Sequence, residues 1–112
     1  MSNLDYSIEK SILASVMFSH HQKADEEFFN NIELYEEYFS DKFHRLVVKQ
    51  INYNKALGLS YQEEYITEAM ANSGTLTNQM LEILNANPFS RYLFETYYKQ
   101  LSKPRLASHW DI

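Results

Sequence analysis

Apolar positions recur every three or four residues along most of this chain, and each recurrence marks one face of a helix. The first stripe is Ile8, Ile12, Leu13, Val16 and Met17, with Asp5 or Ser7 placed to cap its start and the run ending near SHHQK. In DEEFFNNI, Asp25 is the cap, and Phe28, Phe29 and Ile32 are the apolar side. ELYEEYF carries Leu34, Tyr35, Tyr38 and Phe39 at helical spacing. Asn30 and Asn31 mark either a turn between these two segments or a bend within one helix. The central helix follows in YFSDKFHRLVVKQI. Here Ser40 is the expected cap, Asp41 favours the positive end of the helix dipole, and Phe43, Leu46, Val47 and Ile51 form the buried stripe.

Gly58 stands where a helix stop calls for a left-handed residue. Ser60 and Glu63 match the S-x-x-E capping box and open a helix with Tyr61, Tyr65, Ile66, Ala69 and Met70 as its stripe, stopped at Gly74. Leu76, Met80, Ile83 and Leu84 form the next, halted before Pro88 because proline pushes its predecessor out of helical space. The last helix starts near Ser90, carries Leu93, Phe94, Tyr97 and Leu101, and is expected to end before Pro104. Residues 102–112 read as a frayed or partner-dependent tail. The pattern predicts an all-α fold: a compact bundle of six or seven short helices in a single domain, 1–112, with its core over roughly residues 5–101.

Composition narrows the picture. A chain of 112 residues with 45% hydrophobic positions can bury one modest core. Two glycines and two prolines are too few for the turns of a sandwich or barrel. The chain has no cysteine, which removes disulfide scaffolds, thiolate metal sites and cysteine nucleophiles. The formal net charge of −5 argues against a domain built to neutralise phosphates, so direct nucleic-acid binding is not expected. MSNLDYSIEK lacks the pattern of a secretory signal, and no apolar run reaches the roughly 18 residues of a membrane span. A cytoplasmic protein with no membrane partner is the expectation.

Candidate chemistry is sparse. A P-loop needs G-x-x-x-x-G-K-[ST], and neither Gly58 nor Gly74 is followed by lysine. The dinucleotide fingerprint fails for the same reason. His20-His21 with Asp25 and Glu26 is the nearest approach to a metal constellation, but adjacent histidines on a helix point about 100° apart. They read as a solvated helix end. His44 beside Arg45 reads as a polar position on the exposed side of the central helix; a general base with Glu36 or Glu37 as partner is the sharper alternative. Pairs such as Glu26-Glu27, Glu36-Glu37 and Glu63-Glu64 read as solvated helix faces. No catalytic, cofactor-binding or metal residue is assigned, and no cofactor is expected.

The aromatic load is the unusual property: nine tyrosines and seven phenylalanines. Tyrosine brings apolar area and a polar tip to an interface at low rotamer cost. In RYLFETYYKQ, Arg91, Tyr92, Tyr98 and Lys99 fall off the Leu93/Tyr97/Leu101 stripe and are predicted to form a protein-binding face, with Tyr97 in the core. Stacking of single-stranded nucleic acid on Tyr92, Tyr97 and Tyr98 is the alternative use, but such platforms sit in basic grooves.

Several segments in this order resemble the N-terminal domain of DnaB-type replicative DNA helicases. IEKSILASVM matches that family's E-x-x-[LIV]-[LIV] opening helix, and YFSDKFHRLVVKQI matches its [DY]-F element followed a few residues later by H-R-[LI]. LGLSYQEEYI, MLEILNANP and FETYYKQL match the later helix starts, the helix before a proline and the helix with a spaced tyrosine. The match spans roughly residues 5–101 and departs at Ala14, where glycine is usual, and at Leu59-Ser60-Tyr61, where Pro-Ile-Asp is usual. The similarly folded C-terminal helicase-binding domain of bacterial primases is the alternative; HR favours the helicase. The resemblance implies a non-catalytic module of the replisome that self-associates in a helicase ring and docks primase during DNA replication. The ATPase motor of the parent helicase would lie outside this stretch.

Overall fold

The computed structural model describes residues 3–21 and 23–110, with side chains over 4–21 and 23–102. Among these described residues six α-helices follow in order: α1 (Asn3–Met17), α2 (Lys23–Asn30), α3 (Lys42–Ala56), α4 (Glu63–Asn72), α5 (Gln79–Leu84) and α6 (Arg91–Trp110). Single 3-10 turns at Ser19–His21 and Glu36–Tyr38 lie on either side of α2. Among the described residues there is no strand. No helix among them is long and apolar enough to cross a membrane.

The α1 helix is the hub, packing against α3, α5 and α6. Its whole expected stripe is buried, from Ile8 to Met17. Val47, Val48 and Ile51 of α3, Ile66 and Met70 of α4, Ile83 of α5 and Phe94 of α6 close around it. Phe29 packs edge-on against Phe94 with ring centroids 4.8 Å apart, which joins α2 to α6 through an aromatic contact. Ser15 faces the core and spends both its functions there: it donates to the Ser11 carbonyl and accepts the Phe89 amide at 2.6 Å. That bond tethers the connection into α6.

Both glycines end helices. Gly58 (φ 71°) follows the last turn of α3, with Leu59 N–H bonded to Asn54 O at 2.8 Å and Gly58 N–H to Lys55 O at 3.1 Å. Gly74 (φ 77°) closes α4 with the same pair of bonds, Thr75 N–H to Met70 O and Gly74 N–H to Ala71 O. These are Schellman closures, and the left-handed residue they need is the glycine.

Several expected helix starts are corrected. The first helix begins at Asn3, so Asp5 and Ser7 lie within its first turns. The second begins at Lys23, which puts Asp25 in its first turn and not at its cap. The capping box does not form: α4 starts at Glu63 after Gln62, and the Ser60 hydroxyl only accepts the Gln62 amide at 3.2 Å. Ser60 belongs instead to the turn after Gly58, where its carbonyl accepts Asn54 Nδ2 at 2.7 Å. Leu46, Tyr65, Leu76 and Leu93 are exposed, although each sits on an expected stripe.

ELYEEYF makes one 3-10 turn and no α-helix. Its backbone groups are taken by distant side chains: Tyr98 Oη accepts the Tyr35 amide at 2.9 Å, and Arg45 Nε donates to Phe39 O at 2.6 Å. At the end of α2, the Lys55 ammonium donates to Phe29 O and Ile32 O, both at 2.8 Å. A cation suits those orphan carbonyls.

The expected stop before Pro104 is also corrected, because α6 continues to Trp110. Proline removes the bond its own nitrogen would donate and crowds the preceding turn, but its fixed φ of about −65° is the helical value. The expected tail is therefore helical backbone as far as residue 110. Its side chains from 103 on, and residues 111–112, lie outside the described residues.

Candidate functional site

The opening of α3 is held by a buried polar junction. Asp41, not Ser40, is the cap: its Oδ1 accepts the amides of Phe43 at 2.8 Å and His44 at 3.0 Å. Ser40 instead turns toward α1, where its amide (2.9 Å) and hydroxyl (2.8 Å) both donate to Glu9 Oε2. Glu9 Oε1 accepts a weaker bond from the Asp41 amide and lies 2.7 Å from His44 Nδ1. The Tyr6 ring covers the imidazole at 4.9 Å, and Gln79 Nε2 of α5 reaches both Asp41 and Tyr6. One carboxylate therefore ties α1 to α3 and to the segment between them.

The side chains of His44 and Glu9 are 0% and 1% exposed. This overturns the reading of His44 as a solvated polar position and removes its pairing with Glu36 or Glu37. Glu36 instead sits 3.8 Å from Lys49 at the surface. Burial pushes the Glu9 carboxyl up, but the bonds from His44 and from the Ser40 amide and hydroxyl outweigh it and hold Glu9 below the ordinary carboxylate value. Sealed from solvent, this acid–base pair ties α1 to the start of α3.

The cap and the rivet predict separable effects. Asp41→Ala is expected to cost about 1 kcal/mol through loss of two capped amides. Ser40→Ala is expected to cost about 1.5 kcal/mol, because the lost hydroxyl bond goes to a buried carboxylate. Urea unfolding of Ser40→Ala in a Glu9→Gln background checks the assignment: the Ser40 effect should shrink there, whereas the Asp41 effect should persist.

The predicted protein-binding residues do not share one surface. Tyr92 is 83% exposed and Lys99, two turns further along α6, is exposed on the same stripe. Arg91 is ion-paired with Asp25 of α2 at 3.0 Å. Tyr98 lies inward. Its ring contacts those of Tyr38, Phe39 and Phe94, and its hydroxyl donates to Glu33 O at 3.0 Å while accepting the Tyr35 amide. Burial pushes its phenol well above the ordinary tyrosine value. Tyr97 is partly buried as expected, stacked on Phe89 at 4.5 Å.

A surface that periodicity did not reveal lies between α3 and α4. Tyr53, Leu59 and Tyr65 line a groove of about 470 Å³ with Gln50 and Glu68, and all three apolar residues are exposed; Leu57, beside it, is exposed too. The signal was available in part. Tyr53 stands off the central stripe, and Leu57 and Leu59 flank a glycine stop, where no helix face can bury them. No protein-family model, curated protein or solved structure matches the chain.

Proposed function

We propose that this chain is a non-catalytic protein-interaction domain of a DnaB-type replicative DNA helicase, one that self-associates in the ring and docks primase. The observation that carries the interaction role is the exposed Tyr53/Leu59/Tyr65 groove, set against an acid–base pair that is sealed away. Exposed aromatic residues beside a concave surface are the types that anchor protein partners. Support for the reading comes from two of the segments that carry the resemblance. Glu9 of the E-x-x-I-L pattern and His44 of the HR pair are 35 positions apart and meet at 2.7 Å. Arg45 of the same pair holds the Phe39 carbonyl of the aromatic pair before it. The motif residues thus have a joint task, locking α1 to the start of α3.

Sedimentation velocity with the primase and the hexameric helicase of the same bacterium tests the reading. A complex with primase is expected, weakened about tenfold or more in a Tyr53→Ala/Leu59→Ala variant whose melting temperature is nearly unchanged. A Tyr92→Ala/Lys99→Ala variant measures the α6 stripe in the same assay. Binding to the helicase and none to primase would reassign the chain to the helicase-binding domain of a primase. Binding to neither would sink the replisome reading.

A further inference from the structure

His20 and His21 do not lie in a regular α-helix. They form the 3-10 turn after α1, where their rings pack against each other at a tilt of 36° with centroids 4.4 Å apart. Glu63, the first residue of α4, comes to the same place from the far side of the chain, its Oε2 3.9 Å from His20 Nε2. One ligand atom from each of the three residues can be chosen so that all lie within 4.8 Å of one another. Two buried polar atoms here, His20 Nδ1 and Glu63 Oε2, have no hydrogen-bond partner among the described residues. A buried polar group without a partner calls for an explanation, and a bound ion is one.

We propose that His20, His21 and Glu63 form a binding site for a divalent transition-metal ion of the zinc class. Two imidazoles and one carboxylate are a zinc donor set, whereas magnesium and calcium prefer oxygen alone. Ligands about 2.0–2.1 Å from zinc stand about 3.4 Å apart in a tetrahedron, so closing the site needs side-chain shifts of only about 1 Å. His20 also lines a cavity of about 210 Å³ with Glu26, Ser60 and Tyr61. That cavity leaves room for a water beside His20. The adjacent pair dismissed on helical spacing becomes competent because a tight turn sets the rings together and α4 supplies the third donor. The ion would clip the α1–α2 connection to the start of α4.

The test uses the whole chain, stripped with chelator and titrated with Zn²⁺ alone, followed by calorimetry and thermal unfolding. Saturable binding of one equivalent and a melting temperature that rises with Zn²⁺ are expected. His21 is exposed, so His21→Ala keeps the fold while removing a ligand. It and Glu63→Gln should each weaken binding about tenfold or more, since even outer-shell changes cost that much. Co²⁺ should give a visible ligand-field band that His21→Ala abolishes. No heat and no thermal shift, undiminished binding in His21→Ala, or loss only in His109→Ala would each overturn the site.

Discussion

Glu9→Ala is expected to destabilise the domain by about 3–5 kcal/mol, a large part of the 5–15 kcal/mol that holds a typical domain together. The carboxylate accepts from the Ser40 amide and hydroxyl and from the Asp41 amide, and it partners His44 Nδ1. Removing it leaves these groups buried and facing a cavity, and unmade bonds to buried donors cost more than made ones contribute. Glu9→Gln keeps the shape and one acceptor and should cost about half as much. Acid separates the two variants further. The folded Glu9 carboxyl titrates below its ordinary value of 4.5. Its stabilising contribution is therefore complete above that value and is lost as pH falls through the lower, folded one. Urea unfolding at pH 7 and at successively lower pH should show the gap between parent and Glu9→Gln narrowing below about pH 4.5. A gap that stays constant with pH, or a Glu9→Ala variant within about 1 kcal/mol of the parent, would show that this carboxylate is not the rivet.

The junction was half legible in the sequence. Glu9 lies between Ile8 and Ile12, and His44 lies one turn before Val47 and Val48; both fall on buried stripes at the 3.6-residue period. A polar residue on such a stripe, in two helices that must pack together, is the signature of a buried pair. Reading each stripe as purely apolar hid it, and assigned Leu46 to the core in place of His44. The choice between Ser40 and Asp41 as cap had no local answer. Either side chain can accept an amide, and a carboxylate 31 positions upstream of Ser40 decided which one turned away. ELYEEYF failed for a related reason. Its spacing fits a helix, but its amides and carbonyls are claimed by Tyr98 and Arg45 from other elements. Periodicity sees which face is apolar; it does not see which backbone groups a distant side chain will satisfy. The core stripe of α1 and the two glycine stops were legible because their causes are local.

Tyr98→Ala is expected to lower stability by about 3 kcal/mol, a drop in melting temperature of roughly 10–20 °C for a domain of this size. This reverses the expectation from helical faces alone, which placed Tyr98 outside and Tyr97 inside. The α6 stripe is wider than a strict Leu93/Tyr97/Leu101 line: Phe94 and Leu101 are buried, Tyr97 and Tyr98 are both partly buried, and Leu93 is exposed. The Tyr98 ring fills the space between Phe94 and Tyr38, and its hydroxyl pins the 33–38 segment at two points. Tyr98→Phe keeps the ring and should cost only about 1 kcal/mol for the lost bonds. Tyr92→Ala, on the solvent side of the same helix, should change stability by less than about 0.5 kcal/mol. Calorimetry on the three variants ranks them, and sedimentation with the proposed partner adds the second axis. Because Tyr98 lies outside the Tyr53/Leu59/Tyr65 groove, docking is expected to be unchanged in Tyr98→Phe. A Tyr98→Ala protein that melts with the parent would mean that the ring is not packed as described and that the 33–38 segment is held by something else.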